Sequence, residues 1–180
     1  MPIPFNDLTG EADLGLAGFL RFQEEPNGKG MRAALFQITS RGEPIEFSFT
    51  RIDIAASFLW RTGDASRYAV AELCKTLFEA SSKQPSLILA LAEEVAPQVF
   101  TEDLEVHVPI CRVSSLSATV HATTEIPEVL TDTLNLFWVR GQPESESPPR
   151  QLIEALRVRQ LLTEPFDRAV IGLEEAFNSS

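Results

Sequence analysis

Basic residues are scarce in this chain. Fifteen Lys and Arg stand against 26 Asp and Glu in 180 residues, a formal net charge of −11. That balance repels polyphosphate at long range and argues against direct nucleic-acid binding, whose affinity rests on cationic contacts. It suits a solvated surface or a basic partner instead. Cysteine is equally sparse. Cys74 and Cys111 are the only two, and neither has a Cys or His in ligand spacing, so neither a disulfide framework nor a zinc site is read. Buried free thiols are expected, as suits a reducing cytoplasm. No segment approaches the roughly 20 apolar residues that span a bilayer. Residues 1–18 have no basic stretch leading into an apolar run, so no signal peptide is expected either.

Familiar catalytic spacings are missing too. Of the two histidines, His107 sits in an alternating segment and is expected at the surface, and His121 lies in a small-residue loop with no helical partner. Neither supplies a metal ligand or general base in recognisable spacing. No Gly-x-Ser-x-Gly elbow and no dinucleotide fingerprint occurs. The glycines of Glu24–Gly30 lack the Gly-Lys-Ser/Thr ending of a phosphate loop, and no helix follows them, so Asn27-Gly28 reads as a hairpin turn. The residues thus offer no catalytic side chains, no metal ligands and no cofactor site.

What is present is a core. Hydrophobic residues make up 44% of the chain and include 12 Phe. A chain of this length buries roughly 70% of its unfolded surface, so it needs no disulfide or metal to stay folded. Three strand-like runs come first (16–23, 31–39 and 44–52). In the third, Ile45, Phe47 and Phe49 alternate with Glu46, Ser48 and Thr50, the period of a sheet with one buried face. Val70, Leu73, Cys74, Leu77 and Phe78 then form one stripe of an amphipathic helix over 65–82. Residues 86–91 are apolar throughout and read as a short strand buried on both faces.

Residues 105–113 alternate as a fifth strand interrupted by Pro109, and 126–140 fit either a helix or a strand. The run 141–149 reads as a proline-rich acidic linker. Two helices follow it, one carrying Leu152, Ile153, Leu156 and Leu161, the other beginning after Pro165. The domain reading is therefore a mixed α/β domain over 1–140, a linker over 141–149 and a helical extension over 150–180.

The order β-β-β-α-β resembles the ribonuclease H-like core. That resemblance covers about residues 16–95 and rests on element order. It implies a mixed sheet and, for active members, an Asp in the middle of the first strand. Further carboxylates on later elements would complete a site for a divalent ion, which prefers hard oxygen ligands. Here the first strand, Gly18-Phe-Leu-Arg-Phe22, carries no carboxylate. Asp13, Glu72, Glu93 and Glu94 are the acids that a divergent metal-dependent nuclease would have to use.

Arg51, Arg61 and Arg67 gather around residues 53–63 with Trp60 and Tyr68, a composition that interfaces enrich. The segments Arg41-Gly-Glu-Pro-Ile-Glu-Phe47, Phe58-Leu-Trp-Arg61 and Leu91-Ala-Glu-Glu94 are similar to those of uncharacterised bacterial proteins associated with helicases. That resemblance implies an accessory subunit of a nucleic-acid-processing assembly. The expectation is accordingly a non-catalytic accessory or scaffold protein of a bacterial cytoplasmic complex. Its partner would be another protein, a helicase or a second copy of itself. Binding would use Phe58, Trp60, Arg61, Arg67, Trp138 and Leu156.

Overall fold

The computed structural model describes residues 14–54, 59–61, 63–115, 128–131 and 133–179. Its centre is a sheet of seven strands: β1 (Ala17–Glu24), β2 (Gly30–Ile38), β3 (Pro44–Asp53), β4 (Leu87–Leu91), β5 (Ile110–Ser115), β6 (Glu128–Thr131) and β7 (Leu134–Trp138). They lie in the spatial order β3-β2-β1-β4-β5-β7-β6. The first three form an antiparallel meander, turned by Gly28 and Gly42, both at positive φ. Helix α1 (Asp64–Ala80) then carries the chain across one face, so that β4 lies parallel to β1 and β5 parallel to β4. A crossover helix is the ordinary way to join parallel strands. This is the β-β-β-α-β order expected from the sequence.

The alternation of side chains divides the interior in two. Leu20 and Phe22 of β1 and Ile88 and Ala90 of β4 point to the α1 face, against Val70, Leu73, Cys74 and Leu77. Ala17 and Phe19, with Leu87 and Leu89, point to the opposite face. There α2 (Pro148–Val158) and α3 (Glu164–Asn178) cover the sheet with Leu152, Ile153, Leu156, Phe166 and Ala169. Phe166 meets Phe19 edge to face at 5.0 Å. Strand β4 is therefore buried on both sides, as its unbroken apolar run predicted.

Several boundaries differ from the sequence reading. The fifth strand begins only at Ile110, because Pro109 has no N–H for a ladder and contributes only its carbonyl, to Ile88 N–H at 3.0 Å. Residues 105–109 precede that strand, and Val99–Asp103 makes one π-helical turn. The ambiguous 126–140 stretch holds the antiparallel pair β6 and β7. Pro148 and Pro149, read as linker, instead open α2, where a missing N–H costs nothing. Cys74 and Cys111 are both buried free thiols, one on each face. Among the described residues no helix is long and apolar enough to cross a membrane.

Candidate functional site

Strands β1, β4 and β5 run parallel, so their carboxyl ends share one edge of the sheet, the edge at which α/β sheets characteristically bind ligands. Arg21 and Gln23 of β1, the Glu93-Glu94 pair after β4, and Ser114 and Ser115 at the end of β5 come to this edge. Glu94 takes a hydrogen bond from Arg21 Nη1 on Oε1 and one from the Phe22 backbone N–H on Oε2 at 3.2 Å. Burial pushes the Glu94 carboxyl up to about 7, even though Arg21 and the Phe22 N–H pull the other way.

The turn that carries Glu94 is held from beneath. Arg112, wholly buried in β5, donates Nη1 to the carbonyls of Ala92 and Val95, at 3.5 and 3.1 Å, and its guanidinium lies 5.4 Å from the Phe137 ring. Those two carbonyls bracket Glu93 and Glu94. Sequence reasoning passed over both Arg21 and Arg112, although each is a lone charge inside an otherwise apolar strand. Such a charge is seldom buried without a partner.

The described acids among those proposed for a metal do not converge. Asp13 lies outside the described residues. Glu72, on α1, lines a depression of about 350 Å³ with Trp60, Arg61, Arg67, Tyr68 and Asp103. Glu93 is exposed beside Glu94. Among the described residues no three Asp, Glu, His or Cys side chains are grouped to hold a metal ion. The middle of β1 presents Leu20, sealed in the core, and Arg21, itself a cation. This donor set does not fit the divalent ion that active members of the fold use.

The six residues expected to bind a partner are scattered. Phe58 lies outside the described residues. Trp60 and Tyr68 stack at 5.2 Å and are partly exposed. Their arginines are already engaged. Arg61 donates to Asp64 at 2.8 Å, while Arg67 binds Asp103 and Glu102, which raise its pKa further. Trp138 and Leu156 belong instead to the core on the opposite face.

Neither Trp138 nor Leu156 presents a surface. Leu156 is wholly enclosed, and the Trp138 indole N–H donates to Glu128 at 2.9 Å. Glu128 also receives both Nη atoms of Arg150, at 2.7 and 2.9 Å, and these bonds hold its carboxyl below the ordinary range. The apolar weight that drew attention to Trp138 and Leu156 is spent on packing. His107 is exposed and faces Glu105 at 3.7 Å. Two depressions of about 370 and 380 Å³ flank it at the amino ends of β4 and β5, the edge opposite Glu94. His121 lies outside the described residues.

No family model and no curated protein matches the sequence. Solved structures do match. Endonuclease V from Streptomyces avermitilis is similar with a TM-score of 0.62 at 10% identity, over 92% of this chain and 82% of that one. Endonuclease V from Ciona intestinalis, solved in complex with a 24mer DNA containing an inosine followed by a ribo-adenosine, is similar with a TM-score of 0.56 at 10% identity. That match covers 92% of this chain and 87% of the other. These matches correct two expectations. Both of these matched proteins are endonucleases and neither is an accessory subunit, which is the finding against the scaffold reading. The Ciona protein holds DNA, which overturns the exclusion of nucleic acid drawn from net charge. Whole-molecule charge sets only the long-range field, while contacts are made by a local surface. The fold is a mixed α/β, ribonuclease H-like one, shared along nearly its whole length with endonuclease V.

Proposed function

We propose that this protein binds nucleic acid at the carboxyl ends of β1, β4 and β5, on a nuclease-type scaffold whose metal-binding acids are replaced. The observation that supports it best is the extent of the likeness, 92% of this chain against 82% and 87% of two endonucleases V. A likeness confined to the common sheet would leave α2 and α3 outside it. Arg21 and Gln23 offer polar groups at that edge, and Ser115, exposed at the end of β5, offers a hydroxyl suited to phosphate oxygens. Its free buried thiols support a place in the reducing cytoplasm.

Fluorescence anisotropy with labelled single- and double-stranded DNA and RNA tests the reading. A saturable rise for at least one of these is expected. Its salt slope should be shallow, because few cationic side chains are available to release counterions. No rise for any strand at low ionic strength refutes the proposal.

A further inference from the structure

We propose that Arg21 is a built-in cation: its guanidinium occupies the Glu94 carboxylate at the carboxyl ends of β1 and β4, so this edge works without a divalent ion. The inference deepens the nucleic-acid reading of that edge by stating what neutralises its charge, and its metal test stands apart from that reading.

The first support is occupancy. Each Glu94 oxygen already has a donor, Oε1 from Arg21 and Oε2 from the Phe22 N–H. Each donor takes one lone pair of its oxygen, and the guanidinium held against the same carboxylate repels a hard dication. The second is enclosure. The Arg21 and Glu94 side chains are 24% and 16% exposed, so the pair is held largely inside the protein. Register keeps them together: Leu20 lies opposite Ala90, which sets Arg21 beside the end of β4, from which the turn leads to Glu94. The third is the clamp from below. Arg112 fixes the carbonyls on both sides of Glu93-Glu94, so this turn has little freedom to swing its carboxylates toward an ion. The fourth is isolation. Glu72 lines the Trp60 depression, so that among the described acids proposed for a metal Glu94 keeps only its exposed neighbour Glu93.

Taken together, the pair performs one part of a metal's task, neutralising a carboxylate at the edge of the parallel strands. It supplies no activated water. The edge is thereby suited to holding a phosphate-bearing strand rather than to metal-assisted hydrolysis.

Isothermal calorimetry of Mn²⁺ into the full chain, stripped of metal with EDTA, tests the inference. The wild type should give no saturable isotherm. Arg21→Asp removes the cation and adds a carboxylate beside Glu94, and should gain saturable Mn²⁺ binding. That variant is at risk of misfolding, so the wild-type titration decides alone. Saturable Mn²⁺ binding by the wild type that Glu94→Gln abolishes overturns the proposal. Strand affinity that is equal in EDTA and in Mg²⁺ supports it, and a requirement for Mg²⁺ overturns it. If no strand binds at all, the functional reading falls while the Mn²⁺ titration still decides this one.

Discussion

The buried carboxylate of Glu94 leads to a pH dependence with a definite sign. Its pKa is raised from an ordinary 4.5 to about 7, with burial as the largest cause. A carboxyl with a raised folded-state value holds its proton more tightly when folded than when unfolded. Its contribution to stability is complete below about pH 4.5 and is lost as pH rises toward 7. At 1.36 kcal/mol per unit, the loss is ~3 kcal/mol across that window. Other carboxylates titrate there too, so the measurement must be a difference. Urea unfolding of the wild type and of Glu94→Gln, at intervals from pH 4 to pH 8, isolates the one group. Stability of the wild type relative to the variant should fall by ~3 kcal/mol over that range. Arg21→Leu should move the Glu94 titration, followed by carboxyl carbon NMR, above its wild-type midpoint. A flat difference curve, or one that climbs with pH, refutes the reasoning. A flat curve would mean that the Arg21 ion pair cancels desolvation, and a climbing one that it outweighs desolvation and holds the carboxyl low.

Three further outcomes are expected. Leu156→Ala, read by urea unfolding, should cost about 2–5 kcal/mol, since the side chain is fully enclosed between α2 and the sheet. Arg112→Ala should cost about 2–4 kcal/mol by stranding the Ala92 and Val95 carbonyls, and should speed amide hydrogen exchange across residues 92–95. Glu128→Gln breaks the bidentate Arg150 pair, and thermal unfolding at pH 7 should show a loss of about 1–3 kcal/mol. Because Arg150 foremost lowers the Glu128 pKa, the wild-type advantage should shrink as pH falls through that lowered value.

How much the sequence revealed varied with the kind of signal. The apolar run of 86–91 and the stripe along 65–82 each set an element and its buried face, whereas the period of 44–52 set a strand whose Ile45 and Phe49 stay exposed. Those patterns are local, and each residue's role follows from its neighbours a few positions away. Residues 126–140 stayed ambiguous because both periodicities fit them, and pairing with β5 and β6 makes Leu134–Trp138 a strand. Trp138 and Leu156, expected as contact residues, are buried in this chain, because an aromatic or a leucine reads alike whether it packs inward or outward.

The sequence by itself determined the fold class, since the order and period of apolar segments leave few sheets that can bury them. It also established that the middle of the first strand, Gly18 to Phe22, carries no acid to give a metal. Tertiary structure alone decided where charge falls. It brought Arg21 to Glu94 across 73 positions and placed Arg112 beneath the same turn. It also drew Arg61 and Arg67 onto carboxylates of their own chain. Electrostatic partners are chosen by distance in space, and linear order carries almost no information about that distance between side chains on different elements.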